Sequence, residues 1–193
     1  MPRVKLFSEK EILEKAMNLF WKKGYYDTSI QDLVDDLGIN RASLYDTYGG
    51  KRELFDKAFS YYRINNTEGV KKFLATGTDV KAGFKALFEM AIQQAITDKE
   101  RKGCFVVNTT IELLPNEQGC VDTFNENRKV FEQMFYDYLM QGVKRNQLEP
   151  SKDYLSIATL FFTFYNGLRV ITKTDFDPGD FSKSVDTLLS VLD

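Results

Sequence analysis

Histidine is absent from this chain of 193 residues, and only two cysteines and four prolines are present. Without an imidazole, neither a Ser-His nor a Cys-His catalytic pair nor a histidine-bearing zinc site can be assembled. Two cysteines do not make a disulfide framework. The chain is therefore read as a non-enzyme, with no catalytic residue, no metal and no cofactor expected. Long apolar runs are missing too. The longest, Ile157 to Tyr165, is far short of the roughly 20 residues that span a bilayer, and the opening MPRVKLFSEKEILEKAM lacks the apolar core of a secretory signal. A cytoplasmic location and no membrane partner follow as expectations. Neither sign of charge dominates, the net being −2. Any polyanion must then be held by a local arrangement of basic residues.

What is present is a globular composition, 43% hydrophobic and 28% charged, long enough for one or two domains. Apolar residues recur at helical spacing, and no segment alternates with period two, which predicts an all-α fold of about nine helices. Ser8 with Glu11 reads as a capping box ahead of Ile12, Ala16, Leu19 and Phe20, with Gly24 as the stop. Thr28 with Gln31 repeats the box ahead of Ile30, Leu33, Val34 and Leu37. A long helix starts near Lys51 and runs to about Leu74. Four more follow, on Val80 to Ile92, Cys104 to Leu114 before Pro115, Phe124 to Tyr138, and about Lys152 to Lys173. The last begins at Asp177-Pro178.

The helix over Lys152 to Lys173 is apolar on two faces, so it needs burial on both. The helix after it ends the chain, and a second copy is the natural cover in a two-fold interface. Phe161, Phe164, Leu168, Val185, Leu188, Leu189 and Leu192 are the expected dimer contacts.

Between Thr28 and Tyr45 the pattern is a capped amphipathic helix, a Gly38-Ile39 turn and a short second helix led by Asn40. Leu33, Leu37, Ile39 and Leu44 would clamp the two together in a helix-turn-helix. Burying Leu44 turns Arg41, Ala42 and Tyr45 outward, where small residues allow close approach to a groove and Arg41 suits a guanine edge or a phosphate. Lys51, at the start of the next helix, is placed to share a phosphate with that helix's backbone N–H groups. An ordinary three-helix corner shows the same geometry.

The residues T-x-I-x-x-L-x-x-x-L-G-I-x-R-x-S-L-Y-x-x-Y-x-x-K-x-x-L, from Thr28 to Leu54, resemble the TetR family of bacterial transcriptional repressors. The match covers about the first 55 positions, and Gly103-Cys104 further resembles a subset with Gly-Cys at the start of the sixth helix. The resemblance implies a helix-turn-helix DNA-binding domain over residues 1–50 and a ligand-binding and dimerisation domain over 51–193. It implies a homodimer on palindromic operator DNA, released by a small-molecule effector. Its base-reading positions fall on Arg41, Ala42, Ser43 and Tyr45, and its phosphate contacts on Thr28 and Lys51. Asp46-Thr47 departs from the Tyr/Trp-His common in the family, and Asp46 would repel phosphate.

Phe59, Tyr62, Phe84, Phe88, Phe105, Phe131, Phe135 and Phe162 could line an effector cavity, with Asn108, Thr109 and Tyr165 as polar anchors; the other reading of each is plain core. An apolar or aromatic effector is expected. Cys104 follows Lys99, Arg101 and Lys102 at a helix start, a setting that favours a reactive, redox-sensing thiol; the alternative is a small buried hydrophobe. A helical small-molecule-binding or interaction module without DNA binding is the competing function.

Overall fold

The computed structural model describes residues 8–193. Over them the chain forms α1 (Glu9–Lys23), α2 (Ile30–Leu37), α3 (Arg41–Tyr48), α4 (Lys51–Ala75), α5 (Val80–Thr97), α6 (Phe105–Leu113), α7 (Val121–Lys144), α8 (Tyr154–Ile171) and α9 (Pro178–Leu189), with short 3-10 turns before α7 and after α9. Nine α-helices and no strand among the described residues bear out the all-α expectation.

Caps set the boundaries. Asp79 accepts the Ala82 N–H at 2.7 Å ahead of α5, and Asp177 accepts the Gly179 N–H at 2.7 Å with Pro178 in the first turn of α9. Two expected capping boxes do not form as read. Ser8 makes no side-chain cap bond. Ahead of α2 the cap is Ser29, whose hydroxyl accepts the Asp32 N–H at 3.0 Å, while Asp32 Oδ2 accepts the Ser29 N–H at 2.8 Å. Lys23 and Ser29 together hold the Asp32 carboxyl well below the usual carboxylate range. Thr28, one residue earlier, is fully buried.

Two apolar cores organise the molecule. The first gathers Ile12, Ala16 and Phe20 of α1, Leu33 and Leu37 of α2, Leu44 and Tyr48 of α3, the first half of α4, and Phe105, Val106 and Leu113 of α6. The second gathers the end of α4 with α5, α7, α8 and α9. Each fully buried Phe or Leu contributes roughly 1.5–3 kcal/mol by leaving water. α4 belongs to both cores, so the reading head and the C-terminal bundle share one rigid rod.

The register of α8 and α9 differs from expectation. Phe161, Leu168, Val185, Leu189 and Leu192 lie in the chain's own core, at most 4% exposed. Of the expected dimer contacts only Phe164 and Leu188 reach the surface. The outward stripe on α8 is instead Leu160, Phe164 and Ile171, and on α9 Phe181 and Leu188, continued by Val191 in the 3-10 turn after it. The more regular stripe is the one the chain itself covers, because α5 and α7 pack on it. By length and composition α8 is the one described helix apolar enough to cross a membrane. It packs one face along α7 and α5 and carries Arg169.

Candidate nucleic-acid interface and effector cleft

α2 and α3 meet through Leu33, Leu37, Ile39 and Leu44, all buried. The turn between them holds Gly38 at φ +66°, a left-handed conformation that costs glycine nothing. Asn40 caps α3 by accepting the Ser43 N–H at 2.8 Å. With Leu44 and Tyr48 inward, Arg41, Ala42 and Tyr45 stand exposed and Ser43 is half-buried. These four expected base-reading residues therefore share one surface-facing helix. Asp46 is exposed beside them.

The two expected phosphate contacts fare differently. Thr28 has no exposed surface and its hydroxyl donates to the Gly24 carbonyl at 2.5 Å. It braces the loop after α1, which corrects its reading as a phosphate ligand. Lys51 is half-buried. Its ammonium donates to the Tyr26 carbonyl at 3.4 Å and lies 4.4 Å from the Tyr25 ring centroid. Burial lowers its pKa below the ordinary lysine value. Gly49, at φ +94°, closes α3 and lets the chain turn into α4 directly after Tyr48.

The expected aromatic pocket is not one site. Phe84, Phe88, Phe131 and Phe135 interlock in the second core, with Phe84 and Phe135 edge to face at 5.3 Å. Phe59 and Phe105 sit in the first core, edge to face at 5.5 Å. Phe162 is half-buried, 5.7 Å from Phe131. Asn108 is spent locally, donating to the Lys102 carbonyl at 2.7 Å and accepting from Lys173 at 3.1 Å. Thr109 is buried and, with Phe59, lines a small cavity of about 300 Å³ near Arg52 and Cys120.

A cleft of about 860 Å³ opens elsewhere. It lies between α1, α4, α5, α8 and the loop over residues 98–103. Of the expected residues only Tyr62 and Tyr165 line it. Met17, Trp21, Phe73 and Met90 supply apolar wall, and Asn66, Gln94 and Arg169 supply polar groups. Sequence reading missed Arg169, although a lone charge in the otherwise uncharged α8 was a usable signal. Cys104 is buried, and its sulfur accepts from the Tyr62 hydroxyl at 3.7 Å. The nearby basic side chains are engaged elsewhere: Arg101 pairs with Asp175 at 2.6 Å, and Lys102 faces the Trp21 ring at 4.8 Å.

α6 ties the reading head to the bundle, another link unseen in the sequence. Glu112 accepts the Tyr25 N–H at 3.0 Å and the Tyr26 N–H at 2.7 Å. A Cβ on Gly24 would meet the same carboxylate at 2.9 Å. Arg52 of α4 pairs with Glu117, which also accepts from the Tyr26 hydroxyl at 3.1 Å. That contact raises the Arg52 pKa and lowers that of Glu117.

A helix-turn-helix head carried on a long helix, joined to a bundle with an apolar outer face across an open cleft, defines a ligand-responsive DNA-binding regulator. Residues 12–58 match the bacterial regulatory proteins of the tetR family, and residues 82–187 match the tetracyclin repressor-like C-terminal domain. The chain belongs to the TetR family of transcription regulators, a family of regulators rather than enzymes, whose partners are operator DNA, a second copy of the chain and a small-molecule effector. It is 34% identical over 195 residues to an uncharacterized HTH-type transcriptional regulator, YezE, of Bacillus subtilis (strain 168), covering 100% of both chains. It is 28% identical over 174 residues to the HTH-type transcriptional repressor ComR of Escherichia coli (strain K12), covering 89% of this chain and 82% of that one. In fold it is similar to a cysteine mutant of the TetR family transcriptional regulator CifR complexed with 26bp double-strand operator DNA. That likeness has a TM-score of 0.88 at 23% identity, over 99% of this chain and 100% of the other.

Proposed function

We propose that the protein is a cytoplasmic repressor that holds a palindromic operator as a homodimer and lets go when a small effector with a largely apolar body enters the cleft. The observation that carries this is α3. Its buried Leu44 and Tyr48 leave Arg41, Ala42 and Tyr45 facing out on one helix, the arrangement that reads a major groove. Arg41, Ala42, Ser43 and Tyr45 are assigned to the bases, and Lys51 to a phosphate it shares with the first backbone N–H groups of α4. Residues 1–50 form the reading domain and 51–193 the ligand and dimer domain, with α4 common to both.

The cleft supports the switch. Trp21 belongs to α1 of the head, whereas Phe73 at the end of α4, Met90 and Arg169 belong to the bundle side. A ligand between them favours one tilt of the head over another. Half-sites lie about 34–36 Å apart on DNA, so a small change in the spacing of two heads weakens binding. A coupling of roughly 1–3 kcal/mol lowers operator affinity about 5- to 150-fold. DNase footprinting on the DNA upstream of the protein's own gene tests the reading. A protected palindrome is expected, and the absence of any protected site would refute it.

A further inference from the structure

We propose that the cleft between α1, α4, α5 and α8 binds an organic monocarboxylate, its charged end on Arg169 and its apolar body along Trp21, Phe73 and Met90. This rests on the reading of the cleft as the effector site and names the effector's chemical class.

Arg169 is the reason. Its Nη2 donates to the Tyr165 hydroxyl at 2.7 Å, and its guanidinium lies 4.9 Å from that ring's centroid. Its Nε–H is shielded from solvent and has no acceptor. Among the described residues it takes part in no ion pair. Burial opposes its charge, and near pH 7 the Tyr165 hydroxyl answers that charge only as a dipole. Burial also raises the phenols of Tyr62 and Tyr165 above theirs, so both are neutral near pH 7 and offer dipoles rather than counter-charge. A half-buried guanidinium with one shielded, unpaired N–H and no carboxylate beside it is costly unless an anion completes it.

The other charged groups on the cleft are already partnered. Glu14 accepts from Tyr61 at 2.7 Å and lies 3.8 Å from Lys10. Asp98 accepts the Lys102 and Glu100 N–H groups at 2.7 and 3.2 Å. Arg101 pairs with Asp175, and Lys102 with Glu100 at 3.8 Å. Arg169 is the one cation on the cleft outside an ion pair, while Asp98 is held by backbone N–H groups alone, so the site suits a single negative charge rather than a doubly charged phosphate. The volume of about 860 Å³ suits a small acid with an alkyl or aryl body.

The chain's single tryptophan, Trp21, lies on the cleft and donates Nε1–H to the Lys102 carbonyl at 3.2 Å, so it reports on occupancy. The full-length protein is titrated with 4-phenylbutyrate and hexanoate, and with their neutral amides, by Trp21 fluorescence and calorimetry. Saturable binding of at least one acid, about tenfold or more tighter than its amide, is expected. Arg169→Met should bring the acid down to the affinity of the amide, which itself stays unchanged. Should that variant fail to fold by circular dichroism, the acid-amide comparison on the parent decides alone. Equal binding of acid and amide, or no binding of either acid up to about 10 mM, overturns the proposal. So does an Arg169→Met protein that binds the acids as before while Cys104 labelling changes, since the guanidinium would then serve the thiol. Operator binding is measured in parallel. Its survival without acid binding defeats this inference alone, and acid binding without operator binding supports this inference while defeating the repressor reading.

Discussion

Tyr45 and Tyr48 sit three residues apart on α3 and serve opposite purposes. Tyr45 is 45% exposed and Tyr48 only 3%. Leu44 and Tyr48, one helical turn apart, face the core together, and that spacing made the division legible in the sequence. The sequence did not show that the Tyr48 hydroxyl has no partner. An unpaired buried hydroxyl carries a desolvation cost, so Tyr48→Phe should hold or gain stability by up to about 1 kcal/mol in urea unfolding. Thr28 was misread for a related reason. Ser29 beside it is the better cap, which frees the Thr28 hydroxyl to turn inward onto Gly24. For the outward residues, Arg41→Ala should cost roughly 1–3 kcal/mol on the preferred operator and relax base preference. Lys51→Ala should weaken all sequences about equally. Anisotropy on operator and scrambled duplexes separates the two, and equal losses from both variants would undo the division of roles.

Among elements, α6 is the coupling piece. Its place in the chain was readable from Cys104 to Pro115, but its grip on the α1-α2 loop was not, because that grip joins residues 86 and 87 positions apart. No local pattern encodes such a contact. Glu112→Ala removes a carboxylate that holds two backbone N–H groups, and a loss of about 1–3 kcal/mol is expected. Hydrogen exchange at the Tyr25 and Tyr26 amides should quicken, and the effector-induced change in operator affinity should shrink. The Arg52-Glu117 contact gives a pH signature. Its partners lower the Glu117 pKa in the folded state. Its stabilisation is therefore present above the ordinary glutamate value near 4.5 and is lost as pH falls through the depressed folded value. Glu117→Gln should flatten the acid limb of the unfolding curve below about pH 4.5 and lower stability at neutral pH, where the ion pair is fully formed in the parent.

For the whole molecule, helix count, order and the two-faced character of α8 were all legible in apolar periodicity. Which face turns outward was not, since two apolar stripes on one helix look alike until neighbours are placed. The aromatic pocket failed for the same reason. Phenylalanines that interlock edge to face are indistinguishable in sequence from those lining a void. The outward stripe of Leu160, Phe164 and Leu188 carries the dimer prediction. Leu160→Glu places a charge on that stripe and should give a folded monomer by sedimentation at micromolar concentration. Operator affinity should then fall by about a hundredfold or more, as two-headed attachment is lost. A Leu160→Glu protein that remains a dimer would place the interface elsewhere.

The central claim is that α3 of each protomer reads an operator. Fluorescence anisotropy with the DNA upstream of the protein's own gene, titrated across salt concentrations, tests it most directly. The predicted result is saturable binding of two protomers per palindrome, steeply weakened by salt, with sequence preference lost in Arg41→Ala. Binding that ignores sequence, or a parent and an Arg41→Ala protein that discriminate equally, would contradict it.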